Sequence, residues 1–309
     1  MMTTPTRARS RRAGSPSRRK RSDLKVALVF LIPLILMYGV YYIFSIYFLV
    51  QTSFTRVSIS FFDSVNVGWN NYLLLVSDPE FLHAILNNLI FAGVAIAASL
   101  TVGFFIAIAL STGVRAKRLM YVLFLLPTLM PSALIASIFG SMLEQQYGTL
   151  NETLRFLGLG FLTQTWLETP GLAYGSVAVL FAYLIGLPIL FYTSDLSALP
   201  TDALEAALID GAGTFRIMRS VIYPMMKATH ITVILSILLG SFRAFELVLF
   251  TTNGGPNGLT EIAGTYLLSF SQGGPTIGYV SAAAIIVLVV AFIISIVQMF
   301  VLREKRVGK

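Results

Sequence analysis

Glu205-Ala206-Ala207-Leu208-Ile209-Asp210-Gly211-Ala212, running on to Ile222-Tyr223-Pro224, is a short polar block set between long apolar runs. Asp202 is placed to cap a helix, with Glu205 three residues on as the reciprocal partner of a capping box. Ala206, Ala207 and Leu208 favour helix, and Gly211 suits the left-handed position that ends one. A second helical stretch restarts near Gly213-Thr214, carries Arg216 and Arg219, and is expected to stop before Pro224. Residues 202–224 are thus expected to form a small helix–turn–helix standing in water between two membrane spans. Taken alone, the block also reads as an ordinary loop helix that packs on a bundle.

Outward from this block the chain is apolar. Its 309 residues are 56% hydrophobic and only 12% charged, against a charged share of about a quarter in soluble domains. That composition predicts an all-α, polytopic membrane protein. There are no cysteines, which excludes disulfides and thiolate metal sites. His83 and His230 lie far apart, each without a second ligand at metal spacing, so both read as structural or interfacial and no metal site is expected. The chain has no Gly-x-x-x-x-Gly-Lys-Ser/Thr loop, no His-Glu-x-x-His and no nucleophile elbow. No enzymatic activity and no cofactor in this chain are expected. What remains is a path without an engine, plus a polar helix shaped for a partner.

Six runs are long enough to cross a hydrocarbon core of about 30 Å: Val26–Val50, Ala84–Leu110, Leu119–Leu143, Leu172–Tyr192, Ile231–Phe250 and Val280–Leu302. Pro33 is expected within the first turns of span one. Pro127 with Pro131 mark a kink in span three that faces protein rather than lipid, and Gly186 with Pro188 mark one in span four. Residues 1–25, crowded with basic side chains from Arg7 to Lys25, read as a disordered tail that sets topology and touches anionic lipid. No folded domain accompanies this tail, so nucleic acid is not an expected partner. The first apolar run is also too long for a secretory signal. Residues 26–302 form the permease-like domain and 303–309 a second tail. With both termini in the cytoplasm, only Arg56 and Arg155 of the 22 Lys and Arg fall outside, and only Arg243 falls within a span. The positive-inside rule selects that orientation.

A resemblance now adds to this reading. Glu-Ala-Ala, three residues, Gly, ten residues, then Ile-Tyr-Pro resembles the EAA loop of ABC importer permeases, with Glu205, Ala206, Ala207, Gly211, Ile222 and Pro224 in the matching places. Asp210-Gly211-Ala212 is similar to the form found in the carbohydrate-importer branch. Tyr223 stands where Leu is usual, and Ala228 where a second Pro often follows. Three further segments are similar to that branch: Gly68-Trp69-Asn70-Asn71-Tyr72 with Asp78-Pro79-Glu80-Phe81, Tyr147-Gly148 with Leu150-Asn151, and Thr252-Asn253-Gly254-Gly255-Pro256. Read on their own, Asn70 and Asn71 are turn formers. The last segment resembles the first-permease type of maltose and glycerol-phosphate systems. The resemblance implies a multi-pass protein of the bacterial cytoplasmic membrane that moves a sugar or related solute. It implies a second permease subunit, a cytoplasmic ATPase dimer that uses the ATP and receives the 202–224 helix, and an extracytoplasmic solute-binding protein. The alternative is a carrier or channel working alone. No internal repeat supports it, and intramembrane carboxylates are too sparse for a proton relay.

Within the spans, Arg243 and Glu246 lie three residues apart, on one face if the helix is continuous. They resemble the Phe-x-x-Phe-Asp stretch of the family's fifth span, with Glu in place of Asp. They read either as an ion pair fixing span five or as a substrate-path carboxylate, Glu246, held ionised by Arg243. Asn253 would lie two turns beyond on the same face. Tyr183 in span four is either a path residue or packing.

Overall fold

The computed structural model describes residues 16–57, 64–112, 117–270 and 276–303. The chain divides into two units, Met1–Gln51 and Thr52–Lys309. The body of the first is one helix, α1 (Pro16–Ser53). Of the expected tail, residues 1–15 lie outside the described part, but residues 16–25 are helical rather than disordered. Arg, Lys and Leu are good helix formers and nothing between Pro16 and Lys25 interrupts them. Pro33 consequently sits well inside the helix, not near its start. From Val29 onward α1 is apolar and long enough to cross a membrane.

The second unit opens with two short antiparallel strands, β1 (Thr55–Val57) and β2 (Ser64–Asn66), with Arg56 opposite Val65. They are the only departure from helix among the regular elements described. Asn71 is not a turn former. It lies in helix α2 (Asn70–Val76), is buried, and donates from Nδ2 to the carbonyls of Ser53 (2.8 Å) and Thr55 (3.0 Å). Helix α3 (Pro79–Ser111) begins a turn before the expected start of span two. Asp78 caps it, accepting from the Glu80 backbone N–H at 2.9 Å with Pro79 in the first turn. A π-turn over Ser99–Gly103 interrupts α3 without ending it.

The stretches expected to form spans three, four and five are interrupted. Span three is α4 (Lys117–Leu129) and α5 (Ser132–Met142), bent by 101° at the expected prolines. Span four is α7 (Pro170–Tyr183) and α8 (Gly186–Leu196), separated at Leu184-Ile185, with α6 (Thr149–Phe156) preceding it. Helices α9 (Thr201–Ile209) and α10 (Thr214–Met225) follow. Helix α10 turns by 67° into α11 (Lys227–Ser241), and a short α12 (Phe245–Leu249) follows after a break. Helices α13 (Ala263–Ser269) and α14 (Ile277–Arg303) complete the described chain. Among the described residues, four helices are long and apolar enough to cross a membrane, or up to six if each bent pair is one span.

Three buried clusters hold the second unit. Phe91, Ile135, Phe181 and Leu247 join spans two to five. Phe104, Leu110, Ile189, Tyr192 and Met226 join α3 and α8 to the start of α11. Leu75, Phe81, Tyr266 and Ala282 join α2, α3, α13 and α14. Between membrane helices such contacts act by close packing, because lipid is as apolar as the side chains. Directional bonds add the register. Asn88, fully buried in α3, donates to the Ser241 carbonyl and accepts from the Ala263 N–H, both at 2.8 Å. Its neighbour Asn87 donates to the carbonyls of Leu259 (2.9 Å) and Glu261 (2.7 Å).

Asn88→Ala leaves the buried Ala263 N–H without its partner, at about 1–3 kcal/mol, and leaves the Ser241 carbonyl only the Ala244 N–H at 3.3 Å. The expected outcome is a clearly lower thermal midpoint of the detergent-purified protein and a smaller folded fraction. A wild-type midpoint would show that the Asn88 bridge does not hold the break in span five.

Candidate coupling segment and membrane cavities

Helix α9 starts one residue before Asp202. Pro200 occupies its N-cap in extended backbone (φ −65°, ψ 129°), and no side chain caps it. Asp202 therefore falls in the first turn, and the expected Asp202–Glu205 capping box does not form. Its charge still suits the positive end of the helix. The other end follows the sequence closely. Gly211 takes φ +74°, its N–H bonds the Leu208 carbonyl, and the Ala212 N–H bonds the Ala207 carbonyl, both at 3.0 Å. This is the paired Schellman termination. A Cβ on Gly211 would meet nothing within 4 Å, so glycine is required there by backbone conformation alone.

Helix α10 does not stop before Pro224 but runs through it to Met225. Met218–Ile222 is π-helical immediately ahead of the proline. The widened turn takes up the ring and the missing N–H that would otherwise break the helix. Asp202, Glu205, Ala206, Asp210, Gly211 and Pro224 are exposed, while Ala207 and Ala212 are half-buried. Ile222 packs against the cluster around Phe104 and Met226. Three large apolar side chains stand out from this segment: Leu208 at 62%, Ile209 at 87% and Phe215 at 67% exposure. An apolar group rimmed by Asp202, Glu205 and Asp210 has the character of a protein-docking surface.

The interrupted spans meet around a cavity of about 470 Å³. Pro127, Met130 and Ser132 line it from span three, Leu184 and Pro188 from span four, and Ala244 from the break in span five. Pro127 is buried inside α4, whereas Pro131, at the break itself, is exposed, so only the first of the two prolines faces protein as expected. At Gly186 a Cβ would lie 2.2 Å from the Phe124 carbonyl oxygen, so only glycine permits this approach of spans three and four.

Span five is where the structure departs most from the sequence reading. It ends at Ser241, whose carbonyl is taken by Asn88, and resumes at Phe245. Arg243 lies in the break and is exposed, whereas Glu246 begins the next helix and is half-buried. They share no continuous helical face and form no ion pair. The ion pair within 4.0 Å among the described residues is Arg155–Glu152, at 2.7 Å. Glu246 instead accepts a hydrogen bond from the Ser132 hydroxyl, across to the first residue of α5. Asn253 does not continue that face either. Helix α12 ends at Leu249, and Asn253 has φ 50° with its N–H on the Val248 carbonyl. Tyr183, the last residue of α7, is 47% exposed and its ring lies 5.2 Å from that of Phe139, a packing contact. Ser132, Asn87 and Asn88 were not singled out as site residues, although isolated amides inside an apolar run were the available signal.

Asn253 lines a second cavity, of about 970 Å³, with Glu80, His83, Pro256 and Glu261. Burial pushes the Glu261 carboxyl above its usual range, with the nearby charges of Glu80 and Asp78 adding to the effect. For Asp78, burial also opposes ionisation. The hydroxyls of Tyr266 and Tyr279 and the N–H groups of Glu80 and Phe81 together outweigh it and hold this carboxyl below its usual range. Tyr279 donates to Asp78 Oδ2 at 2.7 Å and Tyr266 to the same oxygen. One carboxylate thus joins the starts of α3 and α14 to α13.

A carboxyl with a raised folded-state pKa binds more protons folded than unfolded. Its ionisation removes stability as pH rises from the unfolded to the folded value. Glu261→Gln is therefore expected to raise the thermal midpoint at pH 7.5 and to leave it unchanged near pH 4. Equal midpoints at both pH values would contradict the buried, repelled state of Glu261.

Comparison with known proteins agrees with this architecture. Residues 99–307 match the family described as the binding-protein-dependent transport system inner membrane component. A multiple sugar-binding transport system permease protein of Streptococcus mutans is 30% identical over 233 residues, covering 75% of this chain and 79% of that protein. A trehalose/maltose transport system permease protein of Thermococcus litoralis is 27% identical over 241 residues, 78% of this chain and 81% of the relative. Among solved structures, a bacterial ABC transporter involved in the import of the acidic polysaccharide alginate superposes with a TM-score of 0.76 at 18% identity. That match covers 94% of this chain and 100% of the other. The chain belongs to the family of membrane permease components of binding-protein-dependent transport systems.

Proposed function

We propose that this chain is one of two permease subunits of an ATP-driven importer for a sugar or a related solute. Its α9–α10 segment docks on a cytoplasmic ATPase dimer, and an extracytoplasmic solute-binding protein delivers the solute to the opposite end. Sugar-transport permeases among the relatives support the solute class. The charge distribution supports six spans with both termini and α9 in the cytoplasm. The observation that carries the docking role is the exposure of Leu208 and Ile209 at the end of α9 and of Phe215 at the start of α10, on either side of the Gly211 Schellman turn. A segment fixed by that turn presents apolar side chains whose contacts can differ between ATPase states, and only such differential contacts move an equilibrium.

Within the membrane, Glu246 is the candidate path residue. It stands where three broken spans approach one another, bonded to a hydroxyl rather than neutralised by Arg243. A carboxylate in that setting accepts strong hydrogen bonds from sugar hydroxyls. Arg243, Asn253 and Tyr183 remain secondary candidates, Asn253 at the wall of the larger cavity.

Two variants test these assignments in the assembled complex. Gly211→Val forces a β-branched residue to φ +74°, at about 1–2 kcal/mol. Its expected outcome is less ATPase recovered with the permease, or ATP hydrolysis that no longer drives uptake. Normal coupled uptake would remove the docking role. Glu246→Gln is expected to leave assembly intact and to weaken transport by about tenfold or more, the worth of a hydrogen bond to a charged group. Wild-type uptake would take Glu246 out of the path.

A further inference from the structure

His230 sits in the first turn of α11, just beyond the 67° bend that joins α10 to span five. It is 8% exposed. Its Nε2 lies 3.1 Å from the Tyr223 carbonyl oxygen, back across the bend in α10. Its Nδ1 lies 3.0 Å from the Tyr192 hydroxyl, in span four. A carbonyl only accepts, so Nε2 carries the proton, and Nδ1 of the neutral ring accepts from Tyr192. The Tyr223 carbonyl belongs to the last turn of α10, where carbonyls lack partners from their own helix. The imidazole ring also lies on the Tyr223 ring, centroids 4.2 Å apart, and Phe104 of α3 meets the rings of Tyr192, Tyr223 and His230 edge-on at 5.2–5.5 Å. Spans two, four and five and the α10 arm therefore converge on one side chain.

We propose that His230 is the positioning residue that makes the α10 arm and spans four and five move as one body, so that displacement of α9 reaches the membrane cavity. The inference rests on the reading of α9–α10 as the coupling segment. Its physical core is the bend at Met226. A bent helix joined by one residue is a hinge unless something braces it, and a free hinge absorbs displacement at one end without passing it on. His230 bonds both sides of the hinge and ties them to a third element. Packing alone would fill this space, as a phenylalanine would. The two directional bonds fix the angle.

The test uses the full complex, with permeases, ATPases and solute-binding protein, reconstituted in vesicles. Solute taken up per ATP hydrolysed is measured for wild type, His230→Phe, His230→Gln and Tyr192→Phe, with thermal midpoint and subunit recovery measured in parallel. His230→Phe keeps an aromatic ring and loses both bonds. It is expected to assemble and hydrolyse ATP while solute per ATP falls by about three- to tenfold, the usual scale for residues on a coupling network. Glutamine offers one donor and one acceptor and is expected to restore part of the ratio. Tyr192→Phe removes one bond and is expected to give an intermediate loss. A wild-type ratio in His230→Phe at normal assembly would overturn the proposal. If His230→Phe fails to assemble, Tyr192→Phe decides, and a wild-type ratio there overturns it equally. Failure of the wild-type permease to couple uptake to ATP at all would instead sink the importer reading on which the proposal stands.

Discussion

A bilayer interior supplies no hydrogen bonds, so every backbone group freed by a break in a span must be satisfied by protein. This constraint organises the second unit. At the end of α11 the Ser241 carbonyl accepts from both Asn88 and the Ala244 N–H, and the same Asn88 side chain accepts the Ala263 N–H at the start of α13. Span three bends beside a protein-lined cavity, with Pro127 buried in α4 and Pro131 exposed at the break. Spans three and four approach because Gly186 has no Cβ to obstruct the Phe124 carbonyl. The breaks and the residues that license them form one arrangement.

The α9–α10 segment obeys the opposite rule. Its helix ends face water, and it closes its carbonyls locally, through the Schellman pair at Gly211. It leaves Leu208, Ile209 and Phe215 exposed, which no isolated surface helix gains from doing. In one chain, then, irregular backbone inside the apolar region is sealed by side chains from distant sequence, while the polar segment is sealed by its own turn and leaves apolar side chains exposed.

That contrast decides what the sequence could reveal. Local devices were legible: the Gly211 termination, the proline bend of span three and the helical, membrane-spanning class. Each is set by residues within a few positions of one another. The misreadings were of two kinds. Asp202 lost the cap to Pro200 because a helix start shifts by two residues at little cost, and the extended φ and ψ of a proline suit the N-cap. The end of α10 moved past Pro224 because a π-turn absorbed it. The second kind is tertiary. The proposed Arg243–Glu246 face assumed a continuous helix, and the interruption is made by Asn88, 153 residues away from the carbonyl it binds. No periodicity within span five could carry that signal. Asn71, read as a turn former, is likewise claimed by Ser53 and Thr55.

The same distinction bears on how a displacement would cross this molecule. A continuous helix transmits motion along its axis without help. A path through α10, Met226 and α11 is bent, and the region beyond Ser241 is bent again, so rigidity has to be added by side chains at each turn. At the first bend it comes from His230, with a bond on either side and rings from α3, α8 and α10 around it. Near the second it comes from Asn88, which reaches both Ser241 and Ala263. Between these two braced points lie the cavity and Ser132, bonded to Glu246 by a contact between half-buried groups. A chain braced at its bends and held by one polar contact at the cavity between them is stiff where force must pass.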